Sequence, residues 1–329
     1  MRYAFIASLL FLHVKWVFAQ QSITFQPKTY FNVFSARPVP VLKISPGDTV
    51  YTTSVDAGGL DQNGERAAKR GNPLTGPFFI QGAEAGDVLA ITLLQVKLNR
   101  NFATTLNALI PKVLPPSEKK TWRSAKLVKW KLDLKHLTGS PMDTGLKLQH
   151  ISVPLHPFLG CIGVAPDGNK EIGTGGSGPY GGNLDFSYNT TGATIYLPVF
   201  HPGALLYLGD GHAAQGDGEL NGDALETSMN FSFTVKVLKR ENFPLQTPMV
   251  ENADYLMFFG IESSLDKSLK VATESVLTWL QKHSQLTLAE ASQVVGPVIE
   301  YRIPKIAATK VEVVALIPKK ILEQISRND

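Results

Sequence analysis

The stretch Gly209-Asp-Gly-His-Ala-Ala-Gln-Gly-Asp-Gly-Glu219 carries the carboxylates of Asp210, Asp217 and Glu219, the imidazole of His212 and the carboxamide of Gln215. The rest of its backbone is glycine and alanine. On an extended chain, side chains two residues apart share a face. Asp210 therefore faces with His212, and Asp217 with Glu219. An earlier stretch, Gly182-Asn183-Leu184-Asp185, repeats the spacing with two more oxygen donors. If the two segments adjoin, carboxylates, an amide and an imidazole converge on one hollow. Anions held a few ångströms apart repel by ~4 kcal/mol at an effective dielectric of about 20. Such a cluster persists only if protonation or a cation neutralises it. A divalent metal is the simplest counter-charge, and one histidine with several carboxylates suits zinc, manganese or calcium without choosing among them. The competing reading is a solvated acidic loop, or a calcium loop without chemistry.

Other candidate constellations have structural explanations. Gly173-Thr-Gly-Gly-Ser-Gly178 matches G-x-G-x-x-G, but a dinucleotide site requires a helix next. Pro179-Tyr-Gly-Gly-Asn183 follows instead, so the run is predicted to be a loop whose backbone approaches something closely. Cys161, the sole cysteine, has apolar neighbours and reads as a packed small hydrophobe, and it excludes an intramolecular disulfide. His156 and His201 each precede a proline and read as turn residues. Ser264-Leu-Asp-Lys267 matches S-x-x-K, but its serine reads as a helix cap.

These groups must be held by a scaffold, and the sequence predicts mainly strands. From Ile23 to about Val250, short alternating or apolar runs are bounded by Gly, Pro, Asn and Asp. Thr49–Val55, Val88–Leu94, Thr194–Val199 and Met229–Val235 are β-branched and aromatic, as strands are. After about Glu251 the texture changes. Leu265, Leu269, Ala272, Val276 and Leu280 recur at helical steps, which predicts a helix over Ser264–Lys282 with a serine cap. Thr287 with Glu290 forms a capping box for a second helix to Val295. Lys310–Ile317 is a last strand. The expected organisation is a β-rich catalytic body over 20–250 and a small α+β part over 251–329.

The chain has 329 residues, 43% hydrophobic and 18% charged, as an ordinary globular protein does. Residues 1–19 run from Arg2 through an apolar stretch to a small residue at Ala19, which predicts a cleaved secretory signal and an exported, periplasmic or secreted protein. Its removal leaves 30 basic residues against 28 acidic. That balance implies neither nucleic acid nor a membrane surface as partner. The basic run Lys119–His136 alternates as the solvated face of a strand does.

At these motifs the chain resembles the acetamidase/formamidase family. The resemblance rests on Asn72-Pro-Leu-Thr-Gly-Pro77 with Gly82-Ala-Glu-Ala-Gly-Asp-Val-Leu89, on Gly160-Cys-Ile-Gly-Val-Ala-Pro166, on Gly181-Gly-Asn-Leu-Asp185 and on the stretch 209–219. It implies a hydrolase that cleaves the C–N bond of short linear amides to carboxylate and ammonia. The implied fold is a β-sandwich or jelly-roll body with an additional β unit and a small α+β C-terminal part, assembled as a homodimer. Carried over by motif, Asp185, Asp210, His212 and Asp56 would hold the metal. Glu219, Asp217 and His212 would be catalytic, with Glu219 or Asp217 as general base to a metal-activated water. Asn183, Gln215, Tyr180 and Gly182 would bind the substrate. Tyr180 departs from the histidine or other polar residue usual there, which puts substrate preference in question. The alternative is an exported β-sandwich that uses the acidic loop to hold calcium without catalysis.

Overall fold

A computed structural model describes residues 20–142, 147–148, 150–241 and 243–326. The predicted secretory signal over 1–19 lies outside the described residues. The architecture is mainly β. Two large sheets pack face to face over one apolar core. In the first, Thr49–Ser54, Met229–Leu238, Val88–Leu98 and Thr194–Pro198 lie side by side, and Met249–Glu251, Tyr255–Glu262 and Val311–Pro318 continue the same sheet. In the second, Leu206–His212 and Phe158–Gly163 are central, flanked by Glu226–Thr227, Gly181–Asn183 and Leu74–Ile80. Period-two patterning works as expected at the edge: in Thr49–Ser54, Val50, Thr52 and Ser54 are buried while Tyr51 is exposed. The central strands Phe158–Gly163 and Leu206–His212 are buried at every residue, because both of their faces are covered.

Ile91, Ile195 and Phe233 of the first sheet meet Phe78, Leu159 and Leu208 of the second in that core. Aromatic edges tighten it, with Phe78 edge-on to both Phe25 and Phe233. The basic run 119–136 forms a short 3-10 turn, Lys119–Ser124, and the strand Leu127–Asp133, where Lys129 and Lys131 face solvent and Leu132 is buried.

The C-terminal helices span Leu265–His283 and Leu288–Val298. Ser264 caps the first by accepting from the Lys267 backbone N–H, which explains the S-x-x-K match. Thr287 and Glu290 form the expected capping box. The buried stripe of the first helix is Ser268, Ala272, Val276 and Leu280. Leu265 and Leu269 remain 41% and 45% exposed, contrary to the simple periodicity. The first turn runs past the sheet, and Ser268 takes the inward position by donating to the Val311 carbonyl at 2.9 Å. No helix among the described residues is long and apolar enough to cross a membrane.

Candidate metal and catalytic site

Pairing in the second sheet brings the two motifs together. Cys161 stands opposite Asn183 on one side and Gly209 on the other, and Phe158 stands opposite His212. Loops 183–185 and 209–212 are thereby neighbours across one central strand. Asp185, Asp210 and His212 each present a ligand atom, and these atoms lie within 4.8 Å of one another. All three residues are buried. Strand geometry alone does not achieve this: Asp185 and Asp210 have φ of +42° and +59°, the left-handed region that Asp and Asn tolerate best. Asn72 and Glu219, also beside the cluster, have φ of +50° and +49°. Left-handed non-glycine residues concentrate at functional sites.

The hydrogen bonding divides each carboxylate in two. Lys305 Nζ and Asn183 Nδ2 donate to Asp185 Oδ2 at 2.7 and 2.6 Å, while Asp185 Oδ1 is buried with no protein partner among the described residues. Asn72 Nδ2 donates to Asp210 Oδ2 at 3.0 Å, and Asp210 Oδ1 is likewise left over. His212 Nε2 lies 3.2 Å from Glu226 Oε1 and 3.6 Å from Asp210 Oδ1, but neither contact is aligned as a hydrogen bond, and both ring nitrogens stay unpartnered. Buried polar atoms without partners are costly. One fixed and one free oxygen on each carboxylate, beside a free imidazole nitrogen, is the donor set of a divalent-cation site.

Gly160 supplies the room. A Cβ there would sit 2.7 Å from Asp185 Oδ1, 2.7 Å from His212 Cε1 and 3.0 Å from Asp210 Oδ2. Gly160→Ala is expected to displace Asp185, Asp210 and His212, and so to lower the affinity of this group for an added divalent cation by at least about tenfold, the usual cost of disturbing a ligand's support. Equilibrium dialysis measures it; unchanged affinity would show that the glycine is dispensable.

Burial drives the electrostatics. It raises the pKa of Asp185, of Glu226 to about 8 and of Asp223 to about 6. Glu219 is raised well above the usual carboxylate range by burial and by Asp185, against the pull of Lys305. Burial opposes charge on His212, yet Glu226 and Asp210 lift it well above the ordinary histidine value. Lys305 is raised despite burial because Asp185, Glu312 and Glu219 surround it.

Several expected site residues stand elsewhere. Asp56 is not among the clustered ligands: its Oδ2 accepts from Arg100 Nη2 at 2.6 Å, with both side chains buried. Arg100 also holds the Glu226 carbonyl and Thr227 Oγ1, so Asp56 supports the strand behind Glu226. Asp217 is exposed and bound to Arg302 Nε at 2.9 Å. It does not face with Glu219, because residues 217–219 form a turn with Gly218 at φ +88° that rotates Glu219 inward. Asn183 Oδ1 accepts from Asn72 and Cys161, and its Nδ2 donates to Asp185. That makes it an orienting group, not a free substrate contact. Tyr180 packs on Phe34 at 5.3 Å and faces a separate hollow beside Phe200 and Lys310. Gly182 serves strand packing, since a Cβ would lie 2.3 Å from the Gly176 carbonyl oxygen. Gln215 does reach the site: Nε2 donates to the carbonyls of Asp185 and Pro304, leaving Oε1 buried and free.

Cys161 is buried, as expected, but its thiol donates to Asn183 Oδ1 at 3.2 Å beside the cluster. Burial, with Asp210 and Asp185 nearby, pushes its pKa well up, which suppresses a thiolate nucleophile. The G-x-G-x-x-G run is two short strands and a turn, with no helix following. Glu226, Lys305, Glu312 and Asn72 are site residues that spacing did not single out. Asn72 lay inside a quoted motif, whereas Lys305 sits in Ile303-Pro304-Lys305, which carries no local signal.

Gln215, Glu219 and Asp223 also line a cavity of about 1100 Å³, to which Asp185, Asp210 and His212 themselves do not contribute. The molecule is thus a two-sheet β protein with a buried Asp-Asp-His group that could hold a metal ion. Residues 174–301 match the acetamidase/formamidase family profile. The crystal structure of an acetamidase/formamidase from Thermoanaerobacter tengcongensis superposes with a TM-score of 0.79 at 26% identity, covering 94% of this chain and 99% of that one. An acetamidase from Bacillus halodurans gives 0.78 at 27%, covering 92% and 99%. A Schizosaccharomyces pombe protein assigned as a formamidase is 25% identical over 263 residues, 63% of this chain. The match spans 64% of that relative's length. A γ-lactamase from Delftia acidovorans, at 17% identity and a TM-score of 0.57, shares the fold. In sequence and in fold the chain is similar to acetamidases and formamidases.

Proposed function

We propose that this protein hydrolyses the C–N bond of linear primary carboxamides, of which formamide and acetamide are the simplest, to carboxylate and ammonia. The observation that carries this reading is the set of unpartnered, buried atoms on Asp185, Asp210 and His212, connected to the cavity through Gln215, which lines it and donates to the Asp185 carbonyl. These three residues would hold a divalent cation. An imidazole in a small donor set favours zinc or manganese over calcium, which takes six to eight oxygens. Such a cation supplies a Lewis acid for the amide carbonyl and lowers the pKa of water to about 7.

The chain's own groups do the rest. Gln215, its orientation fixed by two carbonyls, offers Oε1 to an N–H of the substrate amide. Glu219, which lines the cavity, would in its ionised form take a proton from the attacking water and return it to the departing nitrogen. Water adds to the carbonyl carbon, the C–N bond breaks, and ammonia leaves. Glu226 Oε1 stands 3.2 Å from the same His212 Nε2 that faces Asp210, which places a further carboxylate beside the three proposed ligands. The test is ammonia release from formamide, acetamide and propionamide with and without chelator. Release that a chelator abolishes and zinc or manganese restores supports the reading. Release indifferent to chelator removes the metal from it, and no release from any amide removes the reaction.

A further inference from the structure

The cavity is far larger than the simplest amides require. Acetamide fills roughly the space of two or three waters at ~30 Å³ each, against about 1100 Å³ here. One wall is apolar. It is built by Trp130 of Leu127–Asp133, by Leu137, and by Val153 and Leu155 of the neighbouring segment, with Leu109 and Leu225 completing it. Pairing aligns these groups: Leu132 stands opposite Gly139, and Gly139 opposite Val153, so the residues of one parity share a face. Gly139 widens that face, because a Cβ there would lie 3.0 Å from Leu155 Cδ2 and 3.6 Å from Trp130 Cε3.

Nothing among the described residues closes the wall. Leu109 and Leu137 keep 40% and 46% of their surface exposed, and Trp130 and Val153 are half-buried. Apolar surface of this kind, continuous with a floor of Gln215, Glu219 and Asp223, is the usual composition of a ligand pocket: mostly hydrophobic, with a few convergent polar groups. A formyl or acetyl group held at the floor would leave this wall in water.

We infer that the amide this site is built for carries a bulky apolar acyl group, an aryl or extended alkyl residue lying along Trp130, Val153 and Leu155. The carboxamide points at Gln215 and Glu219. This rests on the amide-hydrolase reading and specifies its substrate class. The reaction stays the same: water adds, the C–N bond breaks, and the acid and ammonia leave.

The test compares kcat/KM of the full-length, zinc-supplemented protein for phenylacetamide, hexanamide, acetamide and formamide. Phenylacetamide and hexanamide should exceed acetamide by at least about tenfold, the discrimination a few apolar contacts supply. Trp130→Ala should reduce the phenylacetamide-to-acetamide ratio by about tenfold or more. Val153→Phe, which fills the wall instead of opening it, should reduce the same ratio and covers the case in which Trp130→Ala fails to fold. Acetamide turned over as well as or better than phenylacetamide overturns the inference while leaving the amidase reading intact. Absence of turnover with all four amides overturns both.

Discussion

Glu219→Gln is expected to lower kcat for amide hydrolysis by about 10²–10⁴-fold, the range a general base contributes, while metal content per chain stays at the wild-type level. The two readouts separate because Glu219 is not among the clustered ligands. It sits on the cavity floor, buried but for 7% of its surface. Glutamine keeps the shape and removes the proton acceptor. Its neighbours are committed elsewhere: Asp217 is turned outward onto Arg302, and Glu226 Oε1 stands 3.2 Å from His212 Nε2. Turnover within tenfold of wild type would move the base to Asp223 or Glu226. Loss of metal together with activity would instead make Glu219 part of the cation's cage.

Lys305→Met is expected to destabilise the fold by about 3–5 kcal/mol, the cost of leaving buried carboxylates without their counter-charge. Lys305 Nζ contacts Asp185 Oδ2 at 2.7 Å and Glu312 Oε1 at 3.5 Å, and it also donates to the Asn183 carbonyl. All three side chains of the ion-pair group are buried. With ~2–4 °C per kcal/mol in chains of a few hundred residues, the unfolding midpoint should fall by roughly 6–15 °C in scanning calorimetry. Adding Glu312→Gln should recover part of that loss, because Glu312 already has a pKa pushed up to about 7 by burial. A midpoint within about 2 °C of wild type would show that the lysine's charge is not what holds Asp185.

Much of this site could be read from the chain. The spacing of Asp210 and His212 and the second pair at Asn183 and Asp185 were read from residue types two apart, and the structure brings Asp185, Asp210 and His212 together, with Asp185 and Asp210 in left-handed backbone rather than regular strand. The same spacing failed at Asp217 and Glu219. A turn at left-handed Gly218 and Glu219 sends the two side chains apart. Helix caps at Ser264 and Thr287 were legible because capping is local. The Asp56–Arg100 and Asp185–Lys305 pairs were not, because each joins residues far apart in sequence and only the tertiary fold decides which buried charge meets which. Tyr180 and Gly182 looked like substrate contacts from their place in a motif, but they serve packing around it.

The continuous first sheet has a consequence for how the protein is made. Val311–Pro318 lies between Tyr255–Glu262 and Glu300–Arg302 and delivers Glu312, while Lys305 arrives on the approach to that strand. A nascent chain on the ribosome exposes its histidine and aspartates long before the lysine that tempers them is synthesised. Chains stalled before that last strand should accumulate as inactive, protease-sensitive species, and catalytic competence should appear only near the end of translation.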